Sequence, residues 1–145
     1  MAGGYGRAVP AVDRPRKAVP AEVAAIICGC SPAEVHRYRK EVLPRPAGLA
    51  HDLEAFSAQE VVAMAAGTVA RKWHIRAHLD RLVASLALRD STDRTWLVVY
   101  ESRRGLRVEP APFSLSLVGS KRAAVFDPAR YYEAFDTAVG GEGTS

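Results

Sequence analysis

Two groups of residues in this chain have types and spacings that could do chemistry. The first is Cys28-Gly29-Cys30, two thiols one residue apart. Such a pair could enter a thiolate metal or redox site. However, these are the chain's only cysteines, a bridge across one residue would be strained, and neither His36 nor His51 has the spacing to complete a ligand set. The pair therefore reads as small side chains in a turn. The second group is His36-Arg37-Tyr38-Arg39-Lys40. On one short helix, these donors suit the base edges and phosphates of duplex DNA, because arginine pairs bidentately with guanine and lysine neutralises phosphate. Arg37 is the expected base reader. His36, Tyr38, Arg39 and Lys40 divide between bases and phosphate, with Ser31 and Arg45 at the two ends of the same segment.

The flanking residues supply that helix. Pro20 can occupy the first position of a preceding helix, in which Val23, Ala24, Ile26 and Ile27 form an apolar side, and Gly29 permits a tight turn. Ser31-Pro32-Ala33-Glu34 is a capping box, so a second helix starts at Pro32. Val35 faces back to the first helix, with Tyr38 and Val42 at compatible spacing. The product is a helix-turn-helix whose second helix enters a major groove. Pro44-Arg45-Pro46 stops that helix, and Ala50 to Ala55 can return as a wing strand. Ser57 and Glu60 form a second capping box, with Phe56 stapled onto Val61, and open a helix from Ala58 to about Arg71. A further helix is expected from about His74 to Leu88, where Ile75, Leu79, Leu82, Val83 and Leu86 recur at helical spacing. His74 and His78 then lie one turn apart, but no third ligand completes a metal site.

Beyond a polar connector at Arg89 to Arg94 the period becomes that of strands. Trp96 to Tyr100 and Leu106 to Glu109 form a hairpin, Phe113 to Leu117 alternates again, and Ala123 to Phe126 returns as a fourth strand. Asp127-Pro128 opens a short helix carrying Tyr131, Tyr132, Phe135 and Val139, which the glycines from Gly140 end. Those three aromatics on an acidic helix suit either the chain's own core or an anchor for a partner protein. The expected organisation is a basic arm over residues 1–19, a winged helix-turn-helix domain over 20–89, a small α+β dimerisation or partner-binding domain over 95–139, and a disordered tail over 140–145.

The motif order resembles the DNA-binding domain of the MerR-type regulators. The resemblance is carried by the A-E-V-A run at Ala21 to Ala24, by S-P-A-E-V-H-R-Y at Ser31 to Tyr38 and by F-S-A-Q-E-V at Phe56 to Val61. It covers Pro20 to about Leu86 and implies a wing followed by a second helix pair. At the wing, Leu53-Glu54-Ala55-Phe56 departs from the family's arginine and aromatics. A sheet domain after such a half is similar in arrangement to antitoxin-type regulators, which implies a toxin as a partner.

The chain has 145 residues, 48% of them hydrophobic and 25% charged, with a net charge of +4. This is the composition of a globular protein. No apolar run reaches membrane-spanning length, and no apolar block follows the N-terminal charges as in a secretory signal; a cytoplasmic protein is expected. Arg14, Arg16 and Lys17 make the N-terminal arm basic and suited to phosphate, whereas residues 127–145 are acidic. No P-loop, dinucleotide fingerprint, zinc-protease motif or nucleophile elbow is present. An enzyme, a cofactor and a metal are therefore not expected. The expected function is sequence-specific DNA-binding transcriptional regulation by a homodimer acting as a repressor, which the antitoxin-type resemblance extends to the antitoxin of a toxin–antitoxin pair. The alternatives are a protein-interaction module and a DNA-architectural or recombination accessory factor on the same fold.

Overall fold

A computed structural model describes residues 18–44, 55–75, 78–88, 94–102, 105–110 and 123–144. The described architecture is mixed α+β, with two small antiparallel sheets. Its first elements are β1 (Val19–Pro20), α1 (Ala21–Cys28) and α2 (Pro32–Glu41). Pro20, expected as the first helical residue, is the N-cap of α1, so the helix starts one residue later, at Ala21. Gly29 ends α1 with φ 80°, a left-handed conformation that glycine adopts without steric cost. Ser31 caps α2 by accepting a hydrogen bond from the Glu34 N–H. Only this half of the expected box forms there, because the Glu34 carboxylate is taken by Arg37 and Arg71.

β1 pairs with β2 (Ala55–Phe56), Val19 opposite Phe56. Val19, assigned above to the basic arm, is therefore a buried part of the fold. Of the wing segment from Ala50 to Ala55, only Ala55 lies within the described residues, and its partner is the strand before α1. α3 (Ala58–Lys72) has the full capping box, with Ser57 and Glu60 bonded reciprocally. Its residues from Val61 to Thr68 are all buried, so α3 is the central helix and packs against α1, α4 and the last helix. Small residues allow that approach. A Cβ on Gly67 would lie 2.6 Å from Val83 Cγ2 and 3.0 Å from Tyr38 Oη.

The helix expected from His74 to Leu88 is shorter. α4 spans Leu79–Ala87, and His74 and His78 both adopt positive φ, so they are not one helical turn apart. The cause lies at the end of α3. The Ile75 N–H bonds to the Ala70 carbonyl and the His74 N–H to the Arg71 carbonyl, the Schellman pairing that terminates a helix around one left-handed residue. Fully buried Ile75 then anchors the turn.

The second sheet has β3 (Leu97–Ser102) at its centre, flanked by β4 (Gly105–Pro110) and β5 (Ala123–Phe126). The hairpin and the returning strand lie as expected; Phe113 to Leu117 falls outside the described residues. α5 opens after Asp127, whose carboxylate accepts from the Ala129 N–H. It runs Pro128–Thr144, through the glycines expected to end it. Leu97, Val99, Phe126, Tyr132 and Phe135 join Val35, Tyr38 and Val61 in one buried cluster. The segments 20–89 and 95–139 thus share a core.

Candidate nucleic-acid interface

α2 carries the expected DNA-contacting residues, and its surroundings divide them into three groups. His36 and Lys40 are exposed, as are Ser31, Pro32 and Ala33 at its start. These side chains form the outward face. Ser31 spends its hydroxyl on the cap, so it shapes the helix start.

Arg37 is half-buried at the border of that face. Its Nη1 and Nη2 donate to both oxygens of Asp80, on α4, at 3.3 and 3.1 Å, and its Nε donates to Glu34 at 3.1 Å. Glu41 lies 3.7 Å away. Arg71 reaches the other Glu34 oxygen at 2.7 Å. The network ties α2 to the end of α3 and the start of α4. Hydrogen bonds to Asp80 and Glu34 raise the Arg37 pKa above its ordinary value. Burial pushes the Glu34 carboxyl up, but hydrogen bonds from Arg37 and Arg71 outweigh it, leaving the group below its usual range. Arg37 can therefore meet a base only by exchanging a carboxylate partner for it.

Tyr38 and Arg39 face the protein interior, so neither side chain stands on the outward face of α2 where the DNA contacts were expected. Tyr38 is fully buried, beneath the Arg37 guanidinium at 4.8 Å, and burial raises its pKa. Arg39 has a side chain only 8% exposed. It forks onto Glu60 at 2.8 and 2.9 Å, donates to the Ala55 carbonyl at 2.7 Å, and covers the Phe56 ring. It is a bolt between α2 and the β2–α3 corner. Arg14, Arg16, Lys17 and Arg45 lie outside the described residues.

The Tyr38 hydroxyl is buried without a hydrogen-bond partner among the described residues. Removing such a group relieves its desolvation cost. Tyr38→Phe is therefore expected to leave stability unchanged or raise it by up to ~1 kcal/mol in urea unfolding. A loss larger than that would show that the hydroxyl is satisfied.

Of the three aromatics offered as partner anchors or core, Tyr132 and Phe135 are core. Tyr132 is 5% exposed and Phe135 1%, while half-buried Tyr131 stacks on Phe126 with ring centroids 5.0 Å apart. Sequence reasoning missed Asp80, and read Glu60 only as a capping residue, although these two decide what Arg37 and Arg39 can do. Only the Glu34 to Arg37 spacing of three was a readable signal. The chain matches no family model, no curated protein and no solved structure.

Proposed function

We propose that the chain is a sequence-specific DNA-binding regulator of transcription, acting as a repressor, whose α1, Gly29 turn and α2 are the helix-turn-helix of a MerR-like winged domain. The observation that carries this reading is the division of α2 into two faces. Val35, Tyr38 and Arg39 hold it rigidly from behind, and His36 and Lys40 stand clear in front. A helix fixed by its inner face and presenting short polar and cationic side chains is what major-groove recognition needs. Arg37 acts at the edge of this face, in exchange with Asp80. One such helix contacts few base pairs, so the active species is a homodimer on two half-sites.

Binding of the full chain to genomic fragments across a salt series tests this. Affinity should fall steeply with salt, and Lys40→Ala should reduce the slope by about 1 in log–log form. Asp80→Asn should tighten binding by freeing Arg37. Absence of binding to any fragment at low salt would remove the proposal and favour a protein-interaction module.

A further inference from the structure

We infer that β5 is a dimerisation edge, along which two copies of this chain pair antiparallel and join their three-stranded sheets into one continuous sheet. This gives the homodimer of the preceding reading a surface, but it needs no DNA. It starts from the order of the strands. β3 has partners on both sides, so β4 and β5 are the edges. Among the described residues no strand pairs with the outer side of β5. The N–H and C=O groups that β5 points away from β3 are therefore a row that another strand can take up.

The two edges differ in how they would meet a second strand. On β4, Arg107 and Pro110 are exposed, and Glu109 between them in sequence accepts a hydrogen bond from the Tyr100 hydroxyl. Charges and proline are what keep a sheet edge from pairing. β5 has neither. It consists of Ala123, Ala124, Val125 and Phe126, so nothing along it repels another strand or removes a donor.

The register with β3 sorts the β5 side chains. Ala124 and Phe126 join Leu97 and Val99 in the core cluster, whereas Val125 lies opposite Val98, and Ala123 opposite Tyr100, on the other face of the sheet. Val98 and Tyr100 are buried, but Val125 is 49% exposed. Trp96 is 51% exposed at the same end of the sheet, because its neighbour Leu97 pairs with Phe126. An open apolar corner thus adjoins the open backbone edge. α5 leaves it clear, turning away after Asp127 to pack against α1 and α3.

A second copy of the chain is the occupant that fits. A two-fold axis perpendicular to the sheet runs two β5 strands antiparallel and keeps each face on its own side, so outward residues meet outward ones. Centred on Val125, this register sets the two Val125 side chains against each other and covers their exposed surface. Charge favours the same direction. Lys121 and Arg122 precede β5 in the sequence and Asp127 follows it, so antiparallel pairing brings the basic end of each strand to the acidic end of the other, where parallel pairing would set like charges together. The contact uses up the one unguarded edge of each copy, so association closes at two.

Sedimentation of the full chain without DNA tests this. The wild type should have twice the monomer mass at micromolar concentration. Val125→Lys should weaken the dimer by at least about tenfold, because two ammonium groups then meet at the axis, whereas Arg107→Glu on the β4 edge should leave it unchanged. Hydrogen exchange of the wild type gives a readout that needs no variant: the amides of residues 123–126 should exchange more slowly as concentration rises through the dimer transition, and those of β4 should not. A wild-type monomer, a dimer that Val125→Lys leaves intact, or exchange at 123–126 that ignores concentration would each overturn the inference. A dimer with these properties that binds no DNA would uphold it and remove the preceding proposal.

Discussion

Replacing Arg39 with alanine is expected to lower the unfolding free energy by about 3–5 kcal/mol, the cost of leaving one member of a buried ion pair without its counterion. The Arg39 and Glu60 side chains are 8% and 12% exposed, so water cannot compensate the stranded carboxylate. The loss spreads beyond the pair. Arg39 also satisfies the Ala55 carbonyl, and Glu60 also holds the Ser57 N–H at the start of α3. Arg37→Ala is the control, because Asp80 and Glu41 are 57% and 58% exposed, the less exposed Glu34 keeps Arg71 as its counterion, and surface pairs are worth about 0–1 kcal/mol. Urea unfolding of both variants decides the matter, and similar small losses would mean that Arg39 is solvated. Converting both Arg39 and Glu60 to methionine should cost less than the two single changes combined, since apolar groups of similar size need no counterion.

Phe135→Ala should cost a similar amount, about 3–5 kcal/mol, through lost burial and the cavity left behind. Phe135 is 1% exposed in the cluster that joins α5 to α3 and to the sheet. The variant should therefore destabilise the N-terminal helices along with the sheet. Helical ellipticity and tryptophan fluorescence should shift together to a lower midpoint in one transition. A loss below about 1 kcal/mol, or two separated transitions, would restore the reading of α5 as a surface anchor on an independent domain. Tyr131→Ala should be milder, since that ring is only half-buried, against Phe126.

These variants also mark the boundary between what was legible in the chain and what was not. Gly29 as a helix stop, Ser31 as a cap, the Ser57 and Glu60 box, the hairpin of β3 and β4 and the opening of α5 at Asp127 all depend on residues a few positions apart. Their physics is local: a left-handed turn, a side chain reaching an orphan N–H, an alternation of period two. The end of α3 was not legible. A histidine rather than a glycine takes the left-handed position, while the apolar spacing from Ile75 to Leu86 continues as if the helix did.

The sequence by itself determined that α2 exists, where it begins, and that it carries Arg37, Arg39 and Lys40 in close succession. Which of the three stands in water was decided by the tertiary structure alone. Helical periodicity assigns a side only broadly, so residues at the edge of the buried stripe take their roles from whatever is packed beside them. For Arg39 that is Glu60, 21 residues away, and for Arg37 it is Asp80, 43 residues away. Bare charge patterning cannot distinguish a cation awaiting a phosphate from one already held by a carboxylate, because the distinction is a distance of about 3 Å that exists only once α2, α3 and α4 have packed.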